Sequence, residues 1–255
     1  MSTRDERPEY VLGIGPAGQS CAGLCAAVAA VGGLGVLDLG AGGRRARSAL
    51  AKTARAARSA DRRFGLRVPE GCALSFAEVA EILGAAAERV DVVVLGWDSP
   101  WRVSDVPDRY FVLVEVASPA DARAAAEQGA DGVLARGAES GGRVSETGAF
   151  VLLQQVLDAT PLPVWLAGGI GPDTAAAAVV GGAAGVVLDT QLALLAETDI
   201  PVDLAAAIAA SDGTDSTVVD GRRVLPGARR SARTPSSPPS SAAASARSRA
   251  RCAAC

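Results

Sequence analysis

Two glycine-bearing strand exits carry the clearest chemistry in this chain. Leu166-Ala167-Gly168-Gly169-Ile170 sets adjacent glycines at the end of an apolar run, and Leu188-Asp189-Thr190 ends the next one. Bare backbone at Gly168 and Gly169 lets amide N–H groups approach a phosphate, and Thr190 adds a hydroxyl donor. Tight left-handed turns without any ligand are the other reading of those glycines. A further segment, Arg136-Gly137-Ala138-Glu139-Ser140-Gly141-Gly142-Arg143, places Gly141 and Gly142 between an acid and a base. There a flat ring can lie against backbone, or the segment is a flexible surface loop. Trp97 and Trp101 bracket Asp98 after the run DVVVL. The aromatics either line a substrate pocket or pack beneath their loop, and Asp98 is a candidate general acid or base.

What is absent narrows the chemistry further. The 255 residues contain no histidine, which excludes Ser-His-Asp and Cys-His triads, a histidine base, and histidine-ligated zinc or haem. Of the 25 basic residues, Lys52 is the single lysine. Residues 1–220 hold 17 basic and 28 acidic side chains, a net of −11, whereas residues 221–255 hold eight arginines and no acid. The acidic body opposes nucleic-acid binding, for which only the basic tail speaks. Cys21 and Cys25 have helix spacing and read as small buried thiols; Cys252 and Cys255 form a C-x-x-C without a second ligand pair. With no disulfide framework, a reducing, cytoplasmic setting is expected. Residues Val11 to Leu37 carry no charge, yet Gly15-Pro16, Gln19, Ser20 and Gly32-Gly33 interrupt them, so a strand, helix and strand are expected rather than a membrane span.

These segments need a scaffold that presents strand ends together. Eight short apolar runs recur: Val11–Ile14, Gly35–Leu39, Phe64–Val68, Asp91–Leu95, Tyr110–Val116, Gly132–Ala135, Pro163–Leu166 and Gly185–Leu188. Between them lie Ala-rich stretches with helix signals: Ser75 and Glu78 at capping-box spacing ahead of a helix to Arg89, Ser118 ahead of Pro119–Gln128, and Pro172 at a first helical position. Arg44–Ala60, Gln191–Glu197 and Leu204–Ala210 are also expected to be helical. Strands followed each time by a helix or long loop imply a parallel sheet buried on both faces. A closed α/β (β/α)8 TIM barrel over residues 10–221 is the economical solution, with an open doubly wound sheet as the alternative. Residues 1–9 are expected to be flexible, and residues 222–255 to form a disordered low-complexity basic tail, either a linker or the point where a longer reading frame was interrupted.

Taken in register from about residue 10 to 200, the motifs resemble the nitronate monooxygenase (2-nitropropane dioxygenase) family, which includes flavin-dependent enoyl-acyl carrier protein reductases. The matching residues are GADGV from Gly129, GAESGGR from Gly137, PVWLAGGI from Pro163, GAAGVVLDT from Gly182, AAVGGLG from Ala29 and RFGL from Arg63. The compact form looks most like the version at the N-terminus of some bacterial polyketide synthases. The resemblance implies an FMN-binding barrel, with Gly168, Gly169 and Thr190 on the phosphate and Gly141 and Gly142 near the ring. It also marks departures: Arg143 stands where the family usually has a catalytic histidine, Arg136 where glutamine is common, Arg67 where an asparagine-like residue is common, and Asp189 where glycine precedes the threonine. A carboxylate beside a phosphate is repulsive unless a cation intervenes, and one of the arginines is a ready partner.

Arginine stays protonated near neutral pH, so Arg143 cannot serve as a general base. Enoyl reduction tolerates that better than nitronate oxidation, because hydride transfer belongs to the flavin and an arginine can stabilise an enolate-like oxyanion. Arg67, Arg136, Trp97 and Asp98 are then the expected substrate contacts, around an electropositive mouth. The expected partners are a small-molecule or acyl-thioester substrate and an acyl carrier protein or synthase domain. Ordinary ion pairs with acids such as Asp98 and Glu139 are the plainer reading of the same arginines. The alternative at the level of function is a flavin-free barrel that serves as a docking or structural domain.

Overall fold

Eight parallel strands close on themselves in the computed structural model, which describes residues 10–211 and 216–224. β1 (Val11–Ile14), β2 (Leu34–Asp38), β3 (Phe64–Val68), β4 (Val90–Leu95), β5 (Phe111–Val116) and β6 (Gly132–Arg136) are hydrogen-bonded in order. A two-residue strand, β7 (Gly142–Arg143), stands apart, and β8 (Val164–Ala167) and β9 (Gly185–Leu188) complete the ring. β9 pairs with β1, Val186 opposite Val11 and Val187 opposite Leu12. The main sheet therefore has no open edge, and the doubly wound alternative is excluded.

Helices α1 (Ala22–Ala30), α2 (Arg44–Ala60), α3 (Phe76–Leu83), α4 (Pro119–Glu127), α5 (Ala149–Ala159), α6 (Pro172–Val180) and α7 (Val202–Ala210) follow the strands. Their starts obey local chemistry. Ser75 Oγ accepts the Glu78 N–H and the Glu78 carboxylate accepts the Ser75 N–H, the reciprocal capping box that the spacing anticipates. Ser118 caps α4 by accepting the Asp121 N–H. Two helices are shorter than the sequence implies. α3 gives way at Gly84, which has φ +50°, to a 3₁₀ turn reaching Arg89. The stretch expected to be helical at Gln191–Glu197 forms only a 3₁₀ turn, Thr190–Leu192. Its bonds run from Ala193 to Thr190 and from Leu195 to Leu192, too tight a spacing to propagate an α-helix.

Alternation along the strands separates two cores. Outward residues such as Leu37, Leu66, Val93, Val112 and Val133 pack under the helices. Inward residues Leu12, Val36, Val94, Leu113, Leu134 and Trp165 fill the barrel, where Trp165 meets Phe111 edge-on at 5.8 Å. The indole fits because its neighbours lack side chains: a Cβ on Gly185 would lie 2.3 Å from Trp165 Nε1. One step further along each strand the inward position becomes charged, giving Asp38, Arg67, Glu115, Arg136 and Asp189. Packing fixes the barrel, and that last layer floors the mouth.

The chain then returns across the mouth. β10 (Thr217–Val219) and β11 (Arg222–Val224) form a hairpin, and β11 pairs antiparallel with β7. The Val144 N–H donates to Gly221 O, and Arg222 forms an ion pair with Glu70, just past β3. Ordered strand thus extends to Val224, past the boundary expected at residue 221. The remaining tail, with Cys252 and Cys255, lies outside the described residues.

Candidate active site

The charged layer is a single chain of ion pairs. Arg67 Nε and Nη2 donate to the two oxygens of Glu115 at 2.8 and 2.7 Å, and Arg67 Nη1 donates to Asp38 Oδ2 at 2.6 Å. Arg136 Nη1 donates to Glu115 Oε1 at 3.0 Å, and Arg136 Nη2 to Asp189 Oδ2 at 3.0 Å and Gly141 O at 2.5 Å. Asp38 also accepts the N–H groups of Gly40 and Gly18. Buried charge persists only when paired and hydrogen-bonded, and every member here is. Burial pushes the Glu115 carboxyl up, but Arg67 and Arg136 outweigh it and hold its pKa below the ordinary value, at about 2. Burial likewise opposes the Arg67 charge, and Glu115 and Asp38 reverse that and raise its pKa.

Two arginines and three carboxylates give this layer a net charge of −1. The electropositive mouth expected from composition is therefore corrected: Arg67 and Arg136 face carboxylates of their own chain. Arg136 is the cation that neutralises Asp189. Asp189 also takes backbone donors, Oδ1 from the Thr190 N–H at 2.5 Å and Oδ2 from the Gly141 N–H at 3.3 Å.

A separate cluster sits at the rim. Arg143, on β7, donates to Asp98 Oδ2 at 2.6 Å, and its guanidinium lies 4.4 Å from the centre of the Trp97 ring. The two tryptophans part company here. Trp97 is half-buried under that arginine, while Trp101 is buried, donates to Leu74 O at 2.7 Å and stacks edge-on with Phe76. Asp98 adopts φ +52°, which turns its carboxylate toward Arg143, and the exposed pair is a weak one. Glu139 instead accepts the Ala149 N–H at the start of α5.

At the end of β8, Gly168 and Gly169 have φ +116° and +62°, a backbone that side-chain-bearing residues rarely adopt. A Cβ at Gly168 would lie 3.0 Å from Ser140 Oγ, whereas one at Gly169 would meet nothing nearer than 3.8 Å. Ser140 Oγ is buried with no hydrogen-bond partner. The N-terminus of α6 follows directly, its Gly171 N–H donating to Thr174 Oγ1.

A family model, nitronate monooxygenase, matches residues 72–230, most of this same arrangement. The chain belongs to the nitronate monooxygenase family. Among solved structures it is similar to FabK from Thermotoga maritima, with 29% identity, a TM-score of 0.67, and 85% of this chain and 71% of that one covered. It is also similar to a nitroalkane oxidase from Streptomyces ansochromogenes, at 25% identity, TM-score 0.64, and 80% and 71% covered. Two curated relatives are (3aS,4S,5R,7aS)-5-hydroxy-7a-methyl-1-oxo-octahydro-1H-indene-4-carboxyl-CoA dehydrogenases. The one from Rhodococcus jostii is 37% identical over 120 residues, 45% of this chain and 34% of that protein. The one from Mycobacterium tuberculosis is 36% identical over 115 residues, 44% and 32%. The chain spans about a third of the length of these relatives.

The nitronate monooxygenase family implies FMN, and the end of β8 fits the phosphate of that group. An orphaned Ser140 hydroxyl beside two glycines with left-handed backbone is a donor set in want of an acceptor. Ser140, Asp38 and Glu115 are site residues that the reading of motifs missed. A signal existed for the two acids: each occupies the terminal inward position of an apolar strand, where a carboxylate has no packing role. Ser140 has none, since its burial depends on how the loop after β6 folds over β8.

Proposed function

We propose that this chain is an FMN-dependent oxidoreductase of the nitronate monooxygenase and enoyl reductase type that acts on an acyl thioester. The observation that carries this reading is the buried, unpartnered Ser140 hydroxyl against Gly168 and Gly169. Backbone N–H groups of Gly168 and Gly169, with the hydroxyls of Ser140 and Thr190, would hold the phosphate. Gly141 and Gly142 would face the ring. When bound, FMN supplies hydride transfer. The rest falls to the chain's own residues. Arg67, Glu115 and Arg136 present a fixed polar floor whose charges are already balanced. Arg143 remains protonated and therefore orients or stabilises an anion rather than removing a proton; release from the exposed Asp98 pair costs little. That favours an oxyanion developing on a thioester carbonyl over proton abstraction from a nitroalkane. The carboxyl-CoA named for the curated relatives supports a thioester. A cytoplasmic role in polyketide or fatty acid synthesis, with an acyl carrier protein as partner, accords with it.

The purified protein should be yellow, release FMN on denaturation, and oxidise NAD(P)H in the presence of an enoyl thioester. A colourless protein that takes up no added FMN overturns the proposal. One observation favours a second reading, a flavin-free barrel that docks within a synthase: Asp189 already engages the N–H groups of Thr190 and Gly141 beside the phosphate corner. That reading expects no flavin and saturable binding to acyl carrier protein.

A further inference from the structure

A second site lies at the opposite, strand-start end of the barrel. Between α1 and α2 there is a cavity of about 200 Å³, lined by Ala22, Cys25 and Ala29 of α1 and by Thr53, Ala56 and Ala57 of α2. It exists because both helices face each other with alanines, whose methyl groups do not span the gap. Cavities of about 150 Å³ with apolar walls are known to hold benzene, so this one has room for a hydrocarbon chain.

Two features make it more than a packing gap. Thr53 is 3% exposed and lines the cavity, yet its Oγ1 has no hydrogen-bond partner. A buried hydroxyl without a partner is disfavoured, and here it faces the empty space. The rim, in turn, is basic. Arg62 and Arg63 border the cavity, Arg62 held by a bond to Ala29 O at 3.1 Å. α2 carries no acidic residue, and among the described residues no carboxylate pairs with Lys52 or Arg55, the exposed neighbours of Ala56. Thr53 and Arg62 are nine residues apart, roughly 13 Å at helical rise, less the reach of the arginine side chain.

We propose that this cavity binds a medium-chain carboxylate with a hydroxyl or carbonyl at its far end. The carboxylate meets the Arg62 rim, the methylenes lie against the alanines, and the distal oxygen pairs with Thr53 Oγ1. The charge-free α1 supplies one apolar wall and the acid-free α2 the cationic edge. The site is remote from the barrel mouth and does not depend on whether flavin binds there.

Calorimetric titration of the full chain with 8-hydroxyoctanoate, octanoate and octanol tests it. The hydroxy acid should bind one per chain, and octanoate roughly 5- to 10-fold more weakly, the worth of one hydrogen bond. Octanol, lacking the carboxylate, should bind more weakly still and without the salt dependence of the acids. Thr53→Val should bind the two acids equally while remaining folded, because it removes only the unpaired hydroxyl. Ala56→Leu, at an exposed position on the cavity wall, should abolish binding. No saturable heat with the hydroxy acid overturns the proposal. So does binding unaffected by Ala56→Leu, or a preference for the hydroxy acid that survives in Thr53→Val.

Discussion

Asp189 is the residue on which the cofactor question turns. Its carboxylate accepts the N–H groups of Thr190 and Gly141 and bonds Arg136, so an internal anion holds donors that border the phosphate corner. Arg136 neutralises it in part, but Glu115 shares that arginine. A carboxylate about 5 Å from a phosphate costs on the order of 3 kcal/mol at a surface-like effective dielectric of about 20, or roughly 100-fold in affinity. Asp189→Gly should therefore tighten FMN binding by one to two orders of magnitude, measured by quenching of flavin fluorescence. Riboflavin, which has no phosphate, serves as the control, and its affinity should change little. Equal gains for both flavins would place the effect at the ring and defeat the phosphate argument.

At the scale of elements, local rules and short-range patterns were legible, and contacts distant in sequence were not. The eight apolar runs became the eight barrel strands within a residue or two, since a strand buried on both faces must be apolar throughout. The capping box at Ser75 and the cap at Ser118 also followed from spacing. The phosphate-type glycines landed together with Asp189 and Thr190 because all end adjacent strands, β8 and β9. The β10–β11 hairpin was missed although it left a trace: Asp220 and Gly221 have φ +51° and +69°, the Asp-Gly turn that favours tight hairpins. Its strands are too short to show alternation, and its partner β7 lies some 80 residues away. Close backbone approach was equally hidden. Gly185 reads as an ordinary strand residue, but a Cβ there would overlap Trp165 Nε1 at 2.3 Å and Tyr10 O at 2.5 Å. Gly185→Ala should destabilise the barrel by about 1–3 kcal/mol through overpacking, read from urea unfolding. A change under about 0.5 kcal/mol would mean that the indole is free to move and does not plug the barrel.

Across the whole molecule, the charged floor ties the stability of the barrel to pH in one direction. Glu115 has a folded pKa of about 2 against an ordinary 4.5, so the folded state favours its charged form. Such a group stabilises fully above about pH 4.5, and its contribution disappears as pH falls from there toward 2. The size is on the order of 3 kcal/mol for a carboxylate buried between two arginines. Arg67, pushed higher still, stays charged throughout and adds no limb on the alkaline side. The urea midpoint should thus hold steady from neutral pH to about 5 and then decline. Glu78 is also lowered to about 2, by Arg47 and by the Ser75 cap, but it is fully exposed, and salt screens its share. The acid limb that survives in high salt is therefore the share of the buried layer. Glu115→Gln leaves Arg67 and Arg136 each short of a carboxylate, so it should lower stability at neutral pH by roughly 3–5 kcal/mol. It should also flatten the salt-resistant limb below pH 5, because nothing at that position can then take up a proton. Acid limbs that run parallel in the wild type and the variant at high salt would show that the layer does not couple the barrel to pH.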